Sequence, residues 1–406
     1  MVKKRTLATC CAVHTLHDGL SDVTYVLLPL LAQSFGLSLA QVGLVRGAHR
    51  AAMAAFQIPA GLVAERFGAR NLLALGTLVA GVAFLALGHA AGFWALLAAL
   101  FCAGVGSAVQ HPLGSTIISH AYPAEGRRAA LGAYNFAGDL GKFAFGAIVS
   151  ALLIAGISWQ GPVAGFGILA MTTAGAVLLL VPSSPRPARG PAQMAAGWGI
   201  RDRHRFAALC LIEILDSSTR TGFLTFIAFL LIAGGLSQGW AAAAVPLVFI
   251  GGMAGKLACG YLAERLGIVR MIVVTELATA CGILAALALP ATAAFLLLPL
   301  LGVVLQGTSS VLYATVGEFV EHDSLPRSFG LFYTIGSVCG IAAPLGYGLL
   351  GDRFGLDTAI ATMGATILLT VPLALLLRPH SPWKRGLRFA RNAATPSRKS
   401  AVSKQA

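Results

Sequence analysis

The chain is 406 residues long, 57% hydrophobic and 11% charged, with a mean hydropathy of +0.80 and a formal net charge of +14. Soluble domains carry about 25% charged residues, so this composition excludes an ordinary soluble enzyme or binding module and points to a chain made for lipid. All seven cysteines (Cys10, Cys11, Cys102, Cys210, Cys259, Cys281 and Cys339) fall in or beside apolar runs, which leaves neither a disulfide framework nor a CxxC metal site to read.

A membrane-spanning helix needs about 20 mostly apolar residues. Twelve such stretches are predicted, near 8–33, 39–64, 71–90, 93–120, 129–156, 160–182, 206–232, 239–263, 270–289, 293–319, 328–350 and 357–377. The opening MVKKRTLATCCA has the pattern of a signal peptide for a dozen residues. His14, His17 and Asp18 then interrupt the apolar run, so it reads as a retained first helix. Basic residues collect in alternate connections: Lys3, Lys4 and Arg5, then Arg66 and Arg70, then Arg127 and Arg128, then five arginines from Arg186 to Arg205. They continue with Arg265 and Arg270, Arg327, and eight more from Arg378 to Lys404. The other connections hold Arg353 alone. By the positive-inside rule both termini are expected in the cytoplasm. The net charge is therefore a topology signal first and a contact for anionic lipids second, with no nucleic-acid partner.

The one long polar break, 183–205, is rich in Pro, Gly and Arg and reads as a cytoplasmic linker between a six-helix half at 1–182 and a second at 206–378. Residues 379–406 are basic and aperiodic, and read as a disordered tail. The outer connections 34–38, 157–159 and 290–292 are too short for an outer domain, which puts the function inside the helical bundle. The string GLVAERFGAR at 61–70 returns as GYLAERLGIVR at 260–270. In both copies a long apolar run ends in Gly, an acid–Arg pair and Gly: Gly61, Glu65, Arg66 and Gly68, then Gly260, Glu264, Arg265 and Gly267. Repetition at half the chain length means tandem halves, and membrane proteins of that build are mostly transporters with a site where the repeats meet.

Twelve helices as six plus six, a central polar loop and G-x-x-x-[DE]-R-x-G after helices 2 and 8 resemble the major facilitator superfamily. Within it, HTLHDGLSDVTYVLLPLLAQSFGLSLAQVGLV, CAGVGSAVQHPLGS and LPRSFGLFYTIGSVCGIAAPLGYGLLGDRFG resemble the fosmidomycin-resistance type of efflux protein. The resemblance implies an all-α fold of two pseudo-symmetric six-helix halves in a bacterial inner membrane. It also implies a monomer that exports a small molecule or drug against protons by alternating access, as in antibiotic resistance. Two departures stand out: Glu65 and Glu264 replace the usual Asp, and helix 5 reads GDLGKFAFGA where such exporters carry Gly-Pro.

Each charged residue at a helix centre costs about 2.5–3.5 kcal/mol on insertion scales. This chain is predicted to bury eleven: Asp18, Asp22, Arg46, Arg50, Asp139, Lys142, Glu213, Asp216, Arg220, Lys256 and Glu276. That total, roughly 30 kcal/mol on the same scale, calls for mutual pairing around one polar cavity. On helix 1, His14, His17, Asp18, Ser21, Asp22 and Tyr25 recur every three or four residues and share a face. Asp18 or Asp22 is the expected proton site, with Asp139, Glu213 and Asp216 as further coupling candidates. The substrate candidates are His14, His17, Arg46, Arg50, Gln110, His111, Asn135, Lys142, Arg220, Lys256, Tyr313 and Tyr333. The bland alternative is a buried network that merely joins helices.

Gly61, Glu65, Arg66, Gly68 and Arg70, with Gly260, Glu264, Arg265, Gly267 and Arg270, are expected to latch one conformer by pairing with neighbouring helix ends. A third copy, GDRFG at 351–355, falls on the outer side and reads as coincidence. No GxxxxGK[ST] loop is present, so ATP does not drive transport through this chain. His111 and His120, nine apart, cannot share a helical metal face, so no metal and no cofactor is expected. The sequence therefore reads as a proton-coupled secondary transporter for a small polar or anionic molecule. A proton symporter importing an organic anion is the alternative, and a membrane receptor without transport the weaker one.

Overall fold

The computed structural model describes residues 2–122, 124–183, 199–321 and 325–378. The predicted tail and 184–198 of the predicted linker lie outside them. Twelve helical passes run through the described residues. They are α1 (Val2–Phe35), α2 (Leu39–Phe67), α3 (Ala69–Leu87), α4 (Phe93–Ala121), α5 (Ala124–Ile154), α6 (Gln160–Leu180), α7 (Arg203–Ala233), α8 (Gln238–Leu266), α9 (Ile268–Ala288), α10 (Ala291–Val316), α11 (Leu325–Phe354) and α12 (Leu356–Leu376). Ten of them are long and apolar enough to cross a membrane. The other two, α1 and α2, have 34 and 29 residues. Length does not separate them; the polar residues predicted for the cavity do.

Local chemistry sets the helix ends. Ser38 and Gln41 form a reciprocal capping box at the start of α2. The Asp202 carboxylate accepts the Arg205 N–H at 3.1 Å and starts α7. Residues 203–205, predicted as linker, are thus helix. Gly199–Arg201 pair with Phe319–Glu321 through two backbone hydrogen bonds of 2.9 and 2.8 Å. In α4 the helix is interrupted at Ala108–Val109, because Pro112 has no N–H to offer the carbonyl four residues back.

Call the end carrying Val2 proximal and the other distal. One apolar core spans both halves at the distal end, joining Leu20, Leu27, Val42 and Phe84 to Phe223, Phe226, Val245 and Leu298. Towards the proximal end the core forks. One branch packs Val13, Leu73, Leu113 and Tyr134 in the first half, and the other packs Leu209, Ile212, Met271 and Phe332 in the second. Glycines on α2, α5, α8 and α11 record the same asymmetry. A Cβ at Gly47 would lie 3.2 Å from the Ile341 carbonyl and one at Gly146 would lie 2.9 Å from Pro246. One at Gly239 would lie 2.9 Å from the Ile154 nitrogen, and Gly43 and Gly348 lie against the Pro344 and Leu39 backbones. On the same four helices, proximal Gly61, Gly132, Gly260 and Gly330 face open space. The protein is closed at its distal end and open at its proximal one.

The third motif copy is not coincidence. Gly68, Gly267 and Gly355 make one and the same inter-helix turn, with φ, ψ of 83°, 141°, then 86°, 147°, then 91°, 153°. A positive φ of that kind favours glycine. Only the third copy is engaged among the described residues. Asp352 accepts the backbone N–H groups of Leu39 at 2.8 Å and Ala40 at 2.9 Å, across 312–313 residues of sequence, and so caps α2 from α11. Glu65, Arg66 and Glu264 are exposed and make no ion pair among the described residues, whereas Arg265 turns back on Tyr261 of its own helix.

Candidate functional site

Where the core forks, the predicted polar face of α1 meets α2, α4 and α5. Arg46 is fully buried. Its Nη2 reaches Asp22 at 3.0 Å, its Nη1 donates to the Ser21 carbonyl at 3.4 Å, and its guanidinium lies 3.8 Å above the Tyr25 ring. Both terminal nitrogens and one face of this guanidinium are thereby engaged, while its buried Nε has no hydrogen-bond partner among the described residues. Asp18 sits one turn nearer the proximal end with three positively charged or chargeable neighbours: Lys142 at 3.2 Å, His14 at 3.4 Å and His111 at 3.6 Å. Lys142 also meets Asp139 at 3.1 Å. Lys256 reaches the same Asp139 from the second half, at 2.7 and 2.9 Å to its two oxygens. This pair ties α5 to α8 near the middle of the bundle.

Arg50 differs from the other four buried cations. It lies one turn beyond Arg46 on α2, half-buried, and forms no ion pair among the described residues; its Nε has no hydrogen-bond partner there. His111, whose side chain keeps 40% of its surface exposed, feels Arg50 and Lys142 as electrostatic neighbours. Among these groups Lys142 is paired with Asp18 and Asp139, and Arg50 is the guanidinium left without a carboxylate among the described residues.

The second half has the opposite imbalance. Glu213 and Asp216 on α7 and Glu276 on α9 are buried, and the cation beside them is Arg220, 3.4 Å from Asp216. Both oxygens of Glu213 and both of Glu276 lack a hydrogen-bond partner among the described residues. Tyr313 and Tyr333 stack at 4.8 Å beside this cluster, with Tyr333 exposed.

Several predicted ligands turn out to be packing groups. The His17 ring nitrogens meet the Ser107 and Thr77 hydroxyls at 3.3 and 2.9 Å. Gln110 accepts the Tyr134 hydroxyl at 2.7 Å in a closed environment. Arg46 joins them for the reason given above. Asn135 is exposed. Of the other predicted residues, His14 is buried, Arg50, His111, Lys142, Arg220, Lys256 and Tyr313 are half-buried, and Tyr333 is exposed. Two residues outside the predicted site stand out in the structure: Glu276, buried with both carboxylate oxygens unpartnered among the described residues, whose charge in mid-helix was the available signal, and Asp352, which joins α11 to α2 and whose signal was the third motif copy. Spacing put His14 and Asp18 on one face of α1, but nothing in it hinted that His111 would join them, because packing of α1 on α4 brings it there.

The major facilitator superfamily model matches residues 10–344 and, in a second register, 209–405. Residue for residue, the chain is 28% identical over 177 residues to the 4-hydroxybenzoate transporter PcaK of Pseudomonas putida. That match covers 43% of this chain and 39% of PcaK. Against the probable sulfoacetate transporter SauU of Cupriavidus necator it is 25% identical over 386 residues, 87% of this chain and 89% of that one. Among solved structures, a bacterial homologue of the human lysosomal transporter Spinster, inward-facing and occupied, superposes with a TM-score of 0.78 at 20% identity. It covers 93% of this chain and 97% of its own. The nucleoside transporter NupG, as its D323A mutant, gives 0.77 at 13% identity, covering 93% and 100%. These likenesses carry the resemblance at the level of the superfamily and its fold, and do not single out the fosmidomycin-resistance type. The chain belongs to the major facilitator superfamily and is a multi-pass membrane protein.

Proposed function

We propose that the protein is a proton-coupled symporter for a small organic anion, a carboxylate or sulfonate, with Arg50 as the anion's main anchor. The observation that carries this reading is the half-buried Arg50 without a carboxylate partner among the described residues, beside cavity-facing His111. A desolvated guanidinium is a costly group to leave alone, and a bidentate carboxylate or sulfonate offsets that cost. Relatives named for 4-hydroxybenzoate and sulfoacetate support the same substrate class.

Charge counting supports symport over antiport. With neutral histidines the eleven buried charges sum to one negative, six acids against five bases. An entering monovalent anion deepens that excess by one charge, and one proton on the under-compensated Glu213–Asp216–Glu276 cluster offsets the added charge. Anion and proton therefore load together, which departs from the efflux implied by resemblance. Intramembrane carboxylate clusters are the usual stations of proton relays. The proximal end carries Lys3, Lys4, Arg5, Arg66, Arg70 and Arg265, and we place it in the cytoplasm of a bacterial inner membrane by the positive-inside rule. On that placement the described conformation is inward-open, the halves are 1–182 and 206–378, and 183–205 links them.

The test is a panel of aromatic and aliphatic carboxylates, sulfonates, nucleosides and cationic drugs in proteoliposomes with an imposed pH gradient. Anion uptake driven by inward proton movement is expected, with affinity falling at least tenfold in Arg50→Ala and partly restored in Arg50→Lys. Transport of a neutral or cationic compound that is indifferent to Arg50→Ala would falsify the anion reading.

A further inference from the structure

We infer that His14, Asp18 and His111 form a binding site for a divalent transition-metal ion of the zinc class, loaded from the cavity in competition with Lys142. One nitrogen of each imidazole and one oxygen of the carboxylate lie within 4.8 Å of one another. Each imidazole lies against its own oxygen of the carboxylate, His14 Nε2 to Asp18 Oδ2 at 3.4 Å and His111 Nε2 to Asp18 Oδ1 at 3.6 Å. Tetrahedral zinc with bonds of about 2.0–2.1 Å places its ligand atoms about 3.3 Å apart. Both contacts lie near that spacing, and the three ligand atoms, all within 4.8 Å of one another, reach it by a turn of the partly exposed His111 towards the oxygen that faces His14.

The tautomer of His14 is set for ligation. Its Nδ1 lies 2.7 Å from the Tyr134 carbonyl, which only accepts, so Nδ1 carries the hydrogen. Such a carbonyl behind a ring is the usual support of a metal-bound histidine. Nε2 then presents its lone pair to the Asp18 carboxylate. It is buried, with the side chain 4% exposed, and has no hydrogen-bond partner among the described residues. With Nδ1 committed to the carbonyl, Nε2 and the carboxylate are placed to share a proton or, in its place, a metal cation. Gly138 keeps the place open, since a Cβ there would stand 2.6 Å from His14 Nε2 and 2.7 Å from Asp18 Oδ2. Lys142 supplies the cation in the described state, yet it holds Asp139 as well at 3.1 Å and keeps that partner when a metal takes Asp18. Two imidazoles and one carboxylate select zinc, nickel or cobalt over magnesium and calcium, which prefer all-oxygen shells.

The inference is independent of the substrate and of the coupling ion, and its readout is metal affinity. Untagged full-length protein in detergent, stripped with chelator, is titrated with Zn2+ against a chromogenic competitor. One equivalent is expected to bind, with Mg2+ failing to displace it. His111→Ala and His14→Ala should each weaken binding tenfold or more. Gly138→Ala should do so without removing a ligand, and Lys142→Met should tighten it by removing the competitor. His111 faces the cavity, so His111→Ala folds and serves as the decisive variant, with the Zn2+-induced rise in Tm as a second measure. Absence of stoichiometric binding, or binding that His111→Ala leaves unchanged, overturns the site. A response to Mg2+ equal to that for Zn2+ overturns its metal class, and with it the proposal. An unchanged affinity in Lys142→Met refutes the competition.

Discussion

Replacing Asp352 with Ala should loosen the distal closure and shift the protein towards its distal-open state. The carboxylate accepts two N–H groups at the first turn of α2, at 2.8 and 2.9 Å, from a helix of the other half. Those bonds exist only while α2 and α11 are in contact, so their loss acts on one conformer alone, which is the condition for shifting an equilibrium. Losing an N-cap costs about 0.5–2 kcal/mol. Asp352 is exposed, which screens the charge, so a value near the middle of that range, about 1 kcal/mol, is the expectation. At room temperature that is about a fivefold change in the ratio of the two states. Spin labels at His89→Cys and Leu289→Cys, on exposed distal connections of the two halves, report the separation in a background without the native cysteines. The distal-open population should rise about fivefold in Asp352→Ala and less in Asp352→Asn, whose amide oxygen still caps. A distance distribution identical to wild type in both variants would refute the latch.

Three further outcomes follow from the same structure. Gly43→Leu puts a side chain against the Pro344 backbone and should abolish distal closure, read as a broad, long label separation together with loss of net transport. Arg46→Ala leaves Asp22 buried without its partner and should destabilise the protein by about 3–5 kcal/mol. The swap Asp22→Arg with Arg46→Asp should recover folded protein, and transport restored by the swap would identify the pair as structural. Glu276→Gln and Glu213→Gln should each abolish gradient-driven accumulation while preserving exchange of substrate without a gradient. Accumulation at wild-type levels in both variants would return the proton to helix α1, where Asp18 is the alternative.

What could be read in the sequence tracks the range of the physics involved. Span count, repeat and fold class follow from apolar length and from a motif that depends on local turn geometry, so all three were legible. The placing of eleven charges within the helices was legible too, because they stand inside apolar runs, although only Asp18, Asp22, Arg46, Glu213, Asp216 and Glu276 are buried and the other five are half-buried. Partner choice was not. Arg46 and Arg50 look alike on one face of α2, four residues apart, yet one is enclosed by Asp22 and Tyr25 and the other has no carboxylate. That difference arises from how α1 lies against α2, and periodicity within a single helix carries no information about it. His17 and Gln110 were misplaced for the same reason. Their neighbours are hydroxyls on α3, α4 and α5, which no spacing along α1 or α4 reveals.

The three motif copies bear on why the proximal end is the open one. The helices α2 and α11 run antiparallel, so each end of the pair sets the C-terminus of one against the N-terminus of the other. At the distal end the acid is Asp352, and it is engaged. At the proximal end the corresponding residue of α2 is Glu65, and on α8 it is Glu264; both are exposed and unpaired among the described residues. Aspartate belongs to the strong N-cap residues and glutamate does not, since one more methylene moves the carboxylate past the first N–H groups and adds rotamers to freeze. If these acids act as latches, the proximal one is expected to be weaker than the distal one and the balance to lean to proximal-open. Glu65→Asp with Glu264→Asp should strengthen proximal closure and raise the distal-open population, the same direction as Asp352→Ala but by the opposite cause. Combining all three substitutions should then exceed either set alone, approximately additively for sites so far apart. A double Asp variant whose label distances match wild type would mean that these acids serve topology and not the conformational balance.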